Sequence, residues 1–288
     1  MTRAAFPPDP PHVFVVAEGG VNHNGDIRLA RKLIEAARNA GADAIKFQAY
    51  RTDALVTGEA PKALYQKTDA EGESQREMLK RLELSRDDLR QLKEFAEEQG
   101  ILFFASHFDS GSLEVLIAFD LPILKTGSGE LTDHPLLRKT AMAGKPVILS
   151  TGMATEDEIT EALAVMETAA KPSAPPIVLL HAVSSYPCPL AEANVKAVAT
   201  LAASFGRPVG FSDHTEGDLA ALAAVALGAC VIEKHLTLDR TLEGPDHKAS
   251  MEPREFEAMV RKIRDLEKAL GSGEKVPQPS ERETMRVA

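Results

Sequence analysis

Hydrophobic residues along this chain follow two alternating patterns. Short runs of five or six mostly apolar residues alternate with longer stretches in which apolar positions recur every three or four residues. The eight short runs are VFVVA (13–17), DAIKF (43–47), ILFFA (101–105), PILKT (122–126), PVILS (146–150), IVLLH (177–181), PVGFS (208–212) and CVIEKH (230–235). Runs this short and this apolar predict strands that are buried on both faces, as in a parallel sheet.

The longer stretches have the spacing and the end signals of helices. DIRLARKLIEAARNAG stops at Gly41, and SRDDLRQLKEFAEEQG begins with Ser85 as its N-cap and ends at Gly100. In TEDEITEALAVMETAA, Thr155 and Glu158 have the spacing of a capping box. EGDLAALAAVALGA and EPREFEAMVRKIRDLEKALG are two further predicted helices. Eight strands with helices between them predict an α/β protein with the (β/α)8 TIM-barrel fold.

The barrel pattern accounts for residues 13–270 and leaves a short piece at each end. Residues 1–12 are rich in proline and lack the hydrophobic core of a signal peptide, so we expect an N-terminal lead-in. Residues 271–288 are polar and rich in Gly and Pro, which is typical of a linker-like tail. Residues 51–84 form a connection too long for an ordinary strand–helix loop, and we expect it to cover an active site.

Composition narrows the classes of partner. The 288 residues carry a formal net charge of −10, which disfavours binding to nucleic acid or to an anionic membrane. Trp is absent and no apolar run reaches the ~18 residues of a membrane span. The two cysteines, Cys188 and Cys230, form no CxxC pair, which fits a reducing cytoplasm.

Polar residues concentrate at one end of the predicted strands. The sequences that follow the strands are AEGGVNHNG, IKFQAY, ASHFDS, LKTGSGE, LSTGM, LHAVSSYP, GFSDHT and EKHLT. The opposite ends are plain connections such as NAGAD and EEQG. Active sites of TIM barrels lie at the C-terminal ends of the strands, so this asymmetry predicts an enzyme.

Two lysines, Lys46 and Lys125, lie inside apolar strands, where a charge needs a partner or a shifted pKa. One interpretation is a salt bridge to a strand acid such as Glu18 or Glu130. We favour a bound phosphate or carboxylate, because hydroxyl and glycine residues surround Lys125 in LKTGSGE and LSTGM. A Schiff-base lysine is a third possibility, for which one lysine would suit better than two.

Two of the eight histidines, His214 and His235, fall at the ends of neighbouring strands, which lie ~4.8 Å apart. Two imidazoles in that position can share one divalent ion. The weaker candidates are His23, His107, His181 and His247.

Four acids at the strand ends are candidates for holding sugar hydroxyls or moving protons. They are Glu18, Glu130, Glu233 and Asp246. For Glu233 an alternative is open, because strand alternation can turn its side chain away from the barrel axis.

The strand-end motifs, taken in order, resemble those of the sialic acid synthase family. The motifs are AEGGVNHNGD, IKFQ, LKTGSGE, LSTGM, SSYPCP, GFSDHT and EKHLTLDRTLEGPDHKAS. The similarity spans 13–270, and APKALYQKTDAEGESQREMLKRLELS also looks like the long second strand–helix connection of bacterial members. This family condenses phosphoenolpyruvate with N-acetylmannosamine or a related 2-acetamido or 2,4-diacetamido hexose. Phosphate leaves by C–O cleavage.

The resemblance implies a role for each strand-end residue. Phosphoenolpyruvate would contact Lys46, Lys125, Ser128, Ser150 and Ser212. The metal ligands would be His214 and His235, with manganese as the expected ion and magnesium or cobalt as alternatives. The positions that match residues holding the sugar or moving protons are Gln48, Glu130, Tyr186 and Asp246. Glu18 and Glu233 match acids near the metal and its water. A homodimer is also implied, and the cysteine usage above predicts a cytoplasmic protein.

The sequence departs from the family pattern at three places. Ser106-His107 stands where Thr-Pro is frequent in the family, and Ser184 stands where many members have Asn. We expect both changes to alter binding of the substrates in the ground state. His107 is an alternative candidate for contacting the anion. Typical members continue into a small C-terminal antifreeze-like domain, and the sequence stops at Ala288 within the linker-like tail. We therefore expect the barrel domain alone.

Three other functions fit parts of the pattern. A related phosphoenolpyruvate-dependent synthase could use a phosphorylated sugar, although few basic residues accompany strands five to eight. A Schiff-base aldolase on Lys125 or Lys46 is the second. A barrel that binds ligand but is inactive without the C-terminal domain is the third.

Overall fold

Eight parallel strands close into a barrel in the computed structural model, which describes Phe6, residues 12–57 and residues 73–288. The strands follow one another around the barrel in chain order, and β8 pairs with β1 to close it. Their bounds are β1 Phe14–Gly20, β2 Ala44–Ala49, β3 Leu102–His107, β4 Leu124–Thr126, β5 Val147–Ser150, β6 Ile177–Ala182, β7 Val209–Asp213 and β8 Val231–His235. Each of the eight predicted runs overlaps one of these strands, and the (β/α)8 barrel is confirmed.

Helices lie on the outside of the barrel: the first nine described connect successive strands, the tenth follows β8, and the eleventh lies in the C-terminal tail. They are α1 Ile27–Asn39, α2 Thr52–Leu55, α3 Gln75–Leu82, α4 Arg86–Gln99, α5 Ser110–Ala118, α6 His134–Met142, α7 Glu156–Ala169, α8 Ala197–Phe205, α9 Leu219–Ala226, α10 Pro253–Leu270 and α11 Arg282–Met285. The predicted end signals are confirmed. Ser85 caps α4, which ends at Gly100 with φ 75°, and Thr155 forms a reciprocal capping box with Glu158 at the start of α7.

The core lies between the strands and one face of each helix. Every residue of β1 and β6 is buried, as expected for strands covered on both sides. Helix α1 buries Ala30, Leu33, Ile34 and Ala37, which lie on one face at helical spacing. Truncating a fully buried leucine such as Leu33 to alanine would cost about 2–5 kcal/mol of folding free energy.

A bulge at the end of β1 shapes the floor of the barrel mouth. The pairing of β1 with β2 shifts between Glu18 and Gly20, so that Gly19 is an extra residue in the strand. A Cβ atom on Gly19 would lie 2.7 Å from the ring of Phe47, and Gly20 has a φ of 48°. Only glycine fits this close approach and this backbone conformation without strain. The bulge therefore fixes where the Glu18 side chain enters the mouth.

The ends of the chain pack differently. In the lead-in, the Phe6 ring lies edge-on to Phe14, with ring centroids 5.2 Å apart. Residues 271–288 are exposed throughout and contain a short 3-10 turn, Pro279–Glu281, followed by α11. Within the described part of the chain, no helix is both long enough and apolar enough to cross a bilayer.

Candidate active site

One cavity of about 580 Å3 opens at the C-terminal ends of the strands, which is the catalytic face of TIM barrels. Its volume suits a small-molecule substrate pair. All of the predicted site residues line it: Glu18, Lys46, Gln48, Lys125, Ser128, Glu130, Ser150, Ser184, Tyr186, Ser212, His214, Glu233, His235 and Asp246. The structure therefore brings the whole predicted set together, while the individual roles stay predictions.

Lys46 lies at the buried floor of the cavity. Its Nζ donates to Ser106 Oγ at 2.8 Å and lies 2.9 Å from Glu18 Oε2 and 3.6 Å from Glu233 Oε2. The salt bridge considered for Lys46 is thus present. Burial alone would lower the pKa of Lys46, but Glu18 and Glu233 raise it above its ordinary value. Lys46 is therefore a fixed positive charge.

Lys125 is the second cation of the floor and is less tightly paired. Its Nζ donates to Ser150 Oγ at 2.7 Å and to the Thr126 carbonyl at 3.3 Å, and it lies 4.0 Å from Glu233 Oε1. Burial lowers its pKa to about 8, and Lys46 adds to the decrease while Glu233 opposes it. An anion bound here would stabilise the charged form of Lys125.

Glu233 points into the cavity, so the alternative orientation considered for it is wrong. Its Oε1 accepts from Ser212 Oγ at 2.9 Å. Burial would raise the pKa of Glu233, but Lys125 and Lys46 lower it to about 2, so Glu233 is ionised. Burial together with the neighbouring charge of Glu233 raises the pKa of Glu18 to about 7, although Lys46 opposes the increase.

Two further carboxyl groups have raised pKa values. Burial raises the pKa of Glu130 to about 7, against the opposing effect of Lys125, and Glu130 Oε2 has no hydrogen-bond partner among the described residues. Burial raises the pKa of Asp246 to about 6, against Lys46. Groups that titrate this close to neutrality can donate and accept protons at physiological pH.

Hydroxyl groups and one backbone amide complete the cradle around the lysines. The Gly152 N–H donates to Ser128 Oγ at 2.9 Å. A Cβ atom on Gly152 would lie 2.5 Å from Ser184 Oγ and 2.8 Å from Ser128 Oγ, so this position must stay glycine for the two serines to approach it. Together with Ser150 and Lys125, these groups provide the donors that a phosphate or carboxylate needs.

His214 and His235 face each other across the cavity wall, with ring centroids 5.6 Å apart. Tyr186 packs against both rings, at 4.1 Å from His214 and 5.8 Å from His235. Burial lowers the pKa of both imidazoles. The hydrogen bond to the Val183 carbonyl opposes this decrease in the pKa of His214. The neighbouring His214 ring adds to the decrease in the pKa of His235. Both rings are therefore neutral, which is the form that binds a metal ion.

The free nitrogens of the pair fit a shared cation. His214 Nδ1 donates to the Val183 carbonyl at 2.7 Å, so its Nε2 carries the lone pair. Ser212 has a single proton to share between Glu233 Oε1 and His214 Nε2. His235 Nδ1 is buried without a hydrogen-bond partner among the described residues and lies 3.8 Å from Asp246 Oδ2. In the described ranges, no three His, Cys, Asp or Glu side chains are grouped as a ready metal site, so the pair would need water or substrate to complete the coordination.

The other histidines lie outside the cavity. His107 Nε2 hydrogen-bonds Thr140 Oγ1 at 2.9 Å on the opposite side of β3, so it does not provide the anion contact considered above. His181 hydrogen-bonds the Ala193 carbonyl. His247 bridges Thr237 and Asn24 at 2.7 and 3.2 Å. His23 accepts a hydrogen bond from the Gly25 amide.

The sequence did not indicate an apolar wall at the mouth of the cavity. This wall consists of Tyr50, Leu55, Leu79 and Phe108. The Tyr50 hydroxyl donates to the Leu79 carbonyl at 3.0 Å, and the Tyr50 and Phe108 rings meet edge-on at 6.1 Å. The wall includes α2 and α3 from the segment expected to cover the site, while residues 58–72 of that segment lie outside the described part.

Comparison with protein families decides the classification. A family model described as the NeuB family matches residues 33–275. The chain belongs to the NeuB family. This NeuB-family chain is 48% identical over 270 residues to N,N'-diacetyllegionaminic acid synthase of Legionella pneumophila, covering 93% of the chain and 76% of that protein. It is 38% identical over 269 residues to human N-acetylneuraminate-9-phosphate synthase, covering 93% of the chain and 74% of that protein.

A solved structure agrees with these relatives. The N-acetylneuraminic acid synthetase of Leptospira borgpetersenii, in complex with citrate, superimposes with a TM-score of 0.84 at 38% identity. The match covers 96% of this chain and 91% of that one. The NeuB-family chain is thus an enzyme of the nonulosonate synthase group, and the resemblance read from its strand-end motifs is confirmed.

Proposed function

We propose that this enzyme condenses phosphoenolpyruvate with an open-chain 2,4-diacetamido-2,4,6-trideoxy hexose and releases phosphate. The observation that carries the proposal is a single cavity in which two buried lysines adjoin a neutral histidine pair and three near-neutral carboxyl groups. Family membership supports the same chemistry.

The floor of the cavity suits phosphoenolpyruvate because its two lysines offer two positive charges to an anion. Lys46 Nζ and Lys125 Nζ share Glu233, which lies 3.6 Å from the first and 4.0 Å from the second. Ser128 and Ser150 would supply hydroxyl donors to the phosphate or carboxylate oxygens. Ser212 would join them by turning its proton from Glu233 to the ligand.

The histidine pair would hold a divalent ion, for which manganese is our proposal. When bound, such an ion acts as a Lewis acid on the aldehyde oxygen of the sugar. The ring of Tyr186, which packs on both histidines, would keep the imidazoles in position and bound the sugar on that side.

The reaction forms one carbon–carbon bond and one carbon–oxygen bond to water, and it breaks the carbon–oxygen bond to phosphate. C3 of phosphoenolpyruvate bonds to the aldehyde carbon, and the aldehyde oxygen takes a proton, for which Asp246 is the proposed donor. Water then adds to C2, and Glu18 accepts its proton. Collapse of this adduct breaks the C2–O bond to phosphate and leaves a 3-deoxy-2-keto acid. Raised pKa values near 6 and 7 suit Asp246 and Glu18 to these two transfers.

The apolar wall supports a sugar with a methyl group at C6. A methyl or acetamido group can pack on Leu55, Leu79 and Phe108, whereas a 6-phosphate would need a cation. Among the described lining residues the cations are Lys46 and Lys125, both at the floor. The higher identity to the legionaminic acid synthase than to the 9-phosphate synthase, 48% against 38%, favours the same sugar class.

The test is phosphate release from phosphoenolpyruvate with Mn2+ and a panel of three aldehyde sugars. The panel contains the 2,4-diacetamido-2,4,6-trideoxy hexose with the manno configuration, N-acetylmannosamine and N-acetylmannosamine 6-phosphate. We expect kcat/KM to be highest for the first sugar and lowest for the third. The substrate assignment is wrong if the 6-phosphate is preferred, and the condensation itself is wrong if no sugar releases phosphate.

A Schiff-base aldolase has one observation in its favour, the Lys125 pKa of about 8. Incubation with pyruvate and borohydride distinguishes the two functions, because only the aldolase leaves a reduced adduct on Lys125. We expect no adduct.

A further inference from the structure

A buried ion pair lies behind the cavity wall, between β7 and β8. Lys234 Nζ is 2.9 Å from Asp213 Oδ2, and the two side chains are 1% and 0% exposed. Neither residue lines the cavity. A buried ion pair adds little stability over well-packed apolar residues of the same size, so stability alone does not account for it.

The pair lies next to the histidines along both strands. The pairing of β7 with β8 ends at Asp213 opposite Lys234, and His214 and His235 are the next residues. Strand side chains alternate between the two faces of a sheet. The ion pair therefore faces the surrounding helices, immediately before the point where the two imidazoles enter the cavity.

Hydrogen bonds extend the connection between the strands past this last paired position. Asp213 Oδ1 accepts from the Thr215 amide at 2.9 Å and from Thr215 Oγ1 at 2.8 Å. Lys234 Nζ also donates to the Thr215 carbonyl. Thr215 follows His214 in the chain, so the side chain of Lys234 ties the segment on both sides of His214 to β8.

The opposite side of the His214 segment is fixed separately. The His214 carbonyl accepts from the Cys188 amide at 2.8 Å, and its ring donates to the Val183 carbonyl. His235 is fixed on its own far side, where its carbonyl accepts from the Met251 amide at 2.9 Å. These contacts hold each histidine to a different neighbour. The contacts of Lys234 hold the two segments to each other.

We propose that Asp213, Lys234 and Thr215 are positioning residues that set the distance between the two imidazoles and thereby the affinity for a shared divalent ion. This inference rests on the proposed metal site. Residues that do not touch the metal but hold its ligands in position commonly contribute about 10–100-fold to metal affinity. A merely structural role would instead affect all ligands of the cavity together.

The first test compares Mn2+ and phosphate binding to wild-type protein and to the double variant Asp213→Asn/Lys234→Met. Removing both charges avoids leaving one of them buried without a partner. Calorimetric titration with Mn2+ should show a Kd raised about 10–100-fold. Titration with inorganic phosphate, which probes the Lys46–Lys125 floor, should change less than about threefold, within the ordinary scatter of such effects.

A second pair of variants uses a smaller change. Thr215→Val removes the hydroxyl that donates a hydrogen bond to Asp213 and keeps the shape of the side chain. Thr215→Ser keeps this hydroxyl. We expect weaker Mn2+ binding in Thr215→Val and recovery in Thr215→Ser. If the double variant does not fold, the comparison of Thr215→Val with Thr215→Ser tests the inference by itself.

Three results would overturn the inference, two of them in the variants. One is an unchanged Mn2+ Kd in folded variants, and the other is an equal loss of Mn2+ and phosphate binding. Wild-type protein that binds no Mn2+ overturns it as well, and phosphate release in the sugar assay then shows separately whether the condensation stands.

Discussion

Replacing Glu233 by glutamine tests how charge is balanced at the floor of the cavity. Glu233 is the carboxylate that lies within 4.0 Å of Lys125, whereas Lys46 also has Glu18 at 2.9 Å. Glu233→Gln keeps the shape and the hydrogen bond to Ser212 but removes the charge. Lys125 therefore loses more of its compensating negative charge than Lys46 does, and it stays buried beside Lys46.

The structure sets the size of the effect. Two charges 4.0 Å apart attract each other by about 4 kcal/mol at an effective dielectric constant of 20. Breaking a buried pair by removing one partner typically costs about 3–5 kcal/mol. Deprotonation of Lys125 limits this cost, because a lysine with a pKa of about 8 loses its proton at pH 7 for about 1.4 kcal/mol. We therefore expect a loss of about 1.4 kcal/mol at pH 7, or roughly 3–6 °C in melting temperature for a chain of this size.

The pH dependence gives the sharper expectation. The folded-state pKa of Lys125 is already lowered to about 8, and loss of Glu233 lowers it further. A lysine with a lowered pKa destabilises the fold fully below its folded-state pKa, and the destabilisation fades as the pH rises from that value to the unfolded value of about 10.4. At pH 9 Lys125 is mostly neutral in both folded proteins, so its attraction to Glu233 no longer distinguishes them. The difference between wild type and Glu233→Gln should therefore be large at pH 7 and small at pH 9.

Thermal unfolding at pH 7 and pH 9 is the assay, with Glu114→Gln as a control on an exposed carboxylate. The control should match the wild type at both values. Added inorganic phosphate should raise the melting temperature of Glu233→Gln more than that of the wild type, because it replaces the missing negative charge. An equal destabilisation at both pH values would refute the reasoning.

Three further predictions follow from individual side chains. His235→Ala should weaken Mn2+ binding by at least about tenfold. His247→Ala should leave Mn2+ binding unchanged, because His247 hydrogen-bonds Thr237 and Asn24 outside the cavity. Titration of both variants with Mn2+ measures the difference. Glu130→Gln should be more stable than the wild type by up to about 3 kcal/mol at pH 8 and no different at pH 4, because a raised pKa destabilises the fold only above the unfolded value. Equal melting temperatures at pH 8 would contradict this. Ser150→Ala removes the acceptor of Lys125 Nζ and should raise the KM for phosphoenolpyruvate more than the KM for the sugar, which initial-rate kinetics measure.

Much of the fold could be predicted because local signals agree with one another along the chain. Apolar runs located all eight strands, and the capping residues Ser85 and Thr155 marked helix starts that the structure contains. Closure of the barrel then requires the strand ends to converge. That is why fourteen residues far apart in sequence could be expected in one cavity.

Side-chain orientation could not be predicted in the same way. Alternation along β8 left open whether Glu233 faces the axis. The structure settles it by the hydrogen bond from Ser212 to Glu233 inside the barrel, while Lys234 bonds Asp213 on the other face. The apolar wall was missed because Tyr50 and Leu79 are 29 positions apart in the sequence and meet only through the fold of the connection between them. The periodic spacing of apolar residues indicates which positions are buried. It does not indicate which buried polar side chains contact each other.

The central claim is condensation with cleavage of the carbon–oxygen bond of phosphoenolpyruvate in this cavity. Its most direct test uses phosphoenolpyruvate labelled with 18O in the bridging C–O–P position, together with Mn2+ and the 2,4-diacetamido-2,4,6-trideoxy hexose. We expect mass spectrometry to find the label in the released phosphate and none in the keto acid product. Label retained in the organic product, with unlabelled phosphate released, would rule out cleavage of the carbon–oxygen bond.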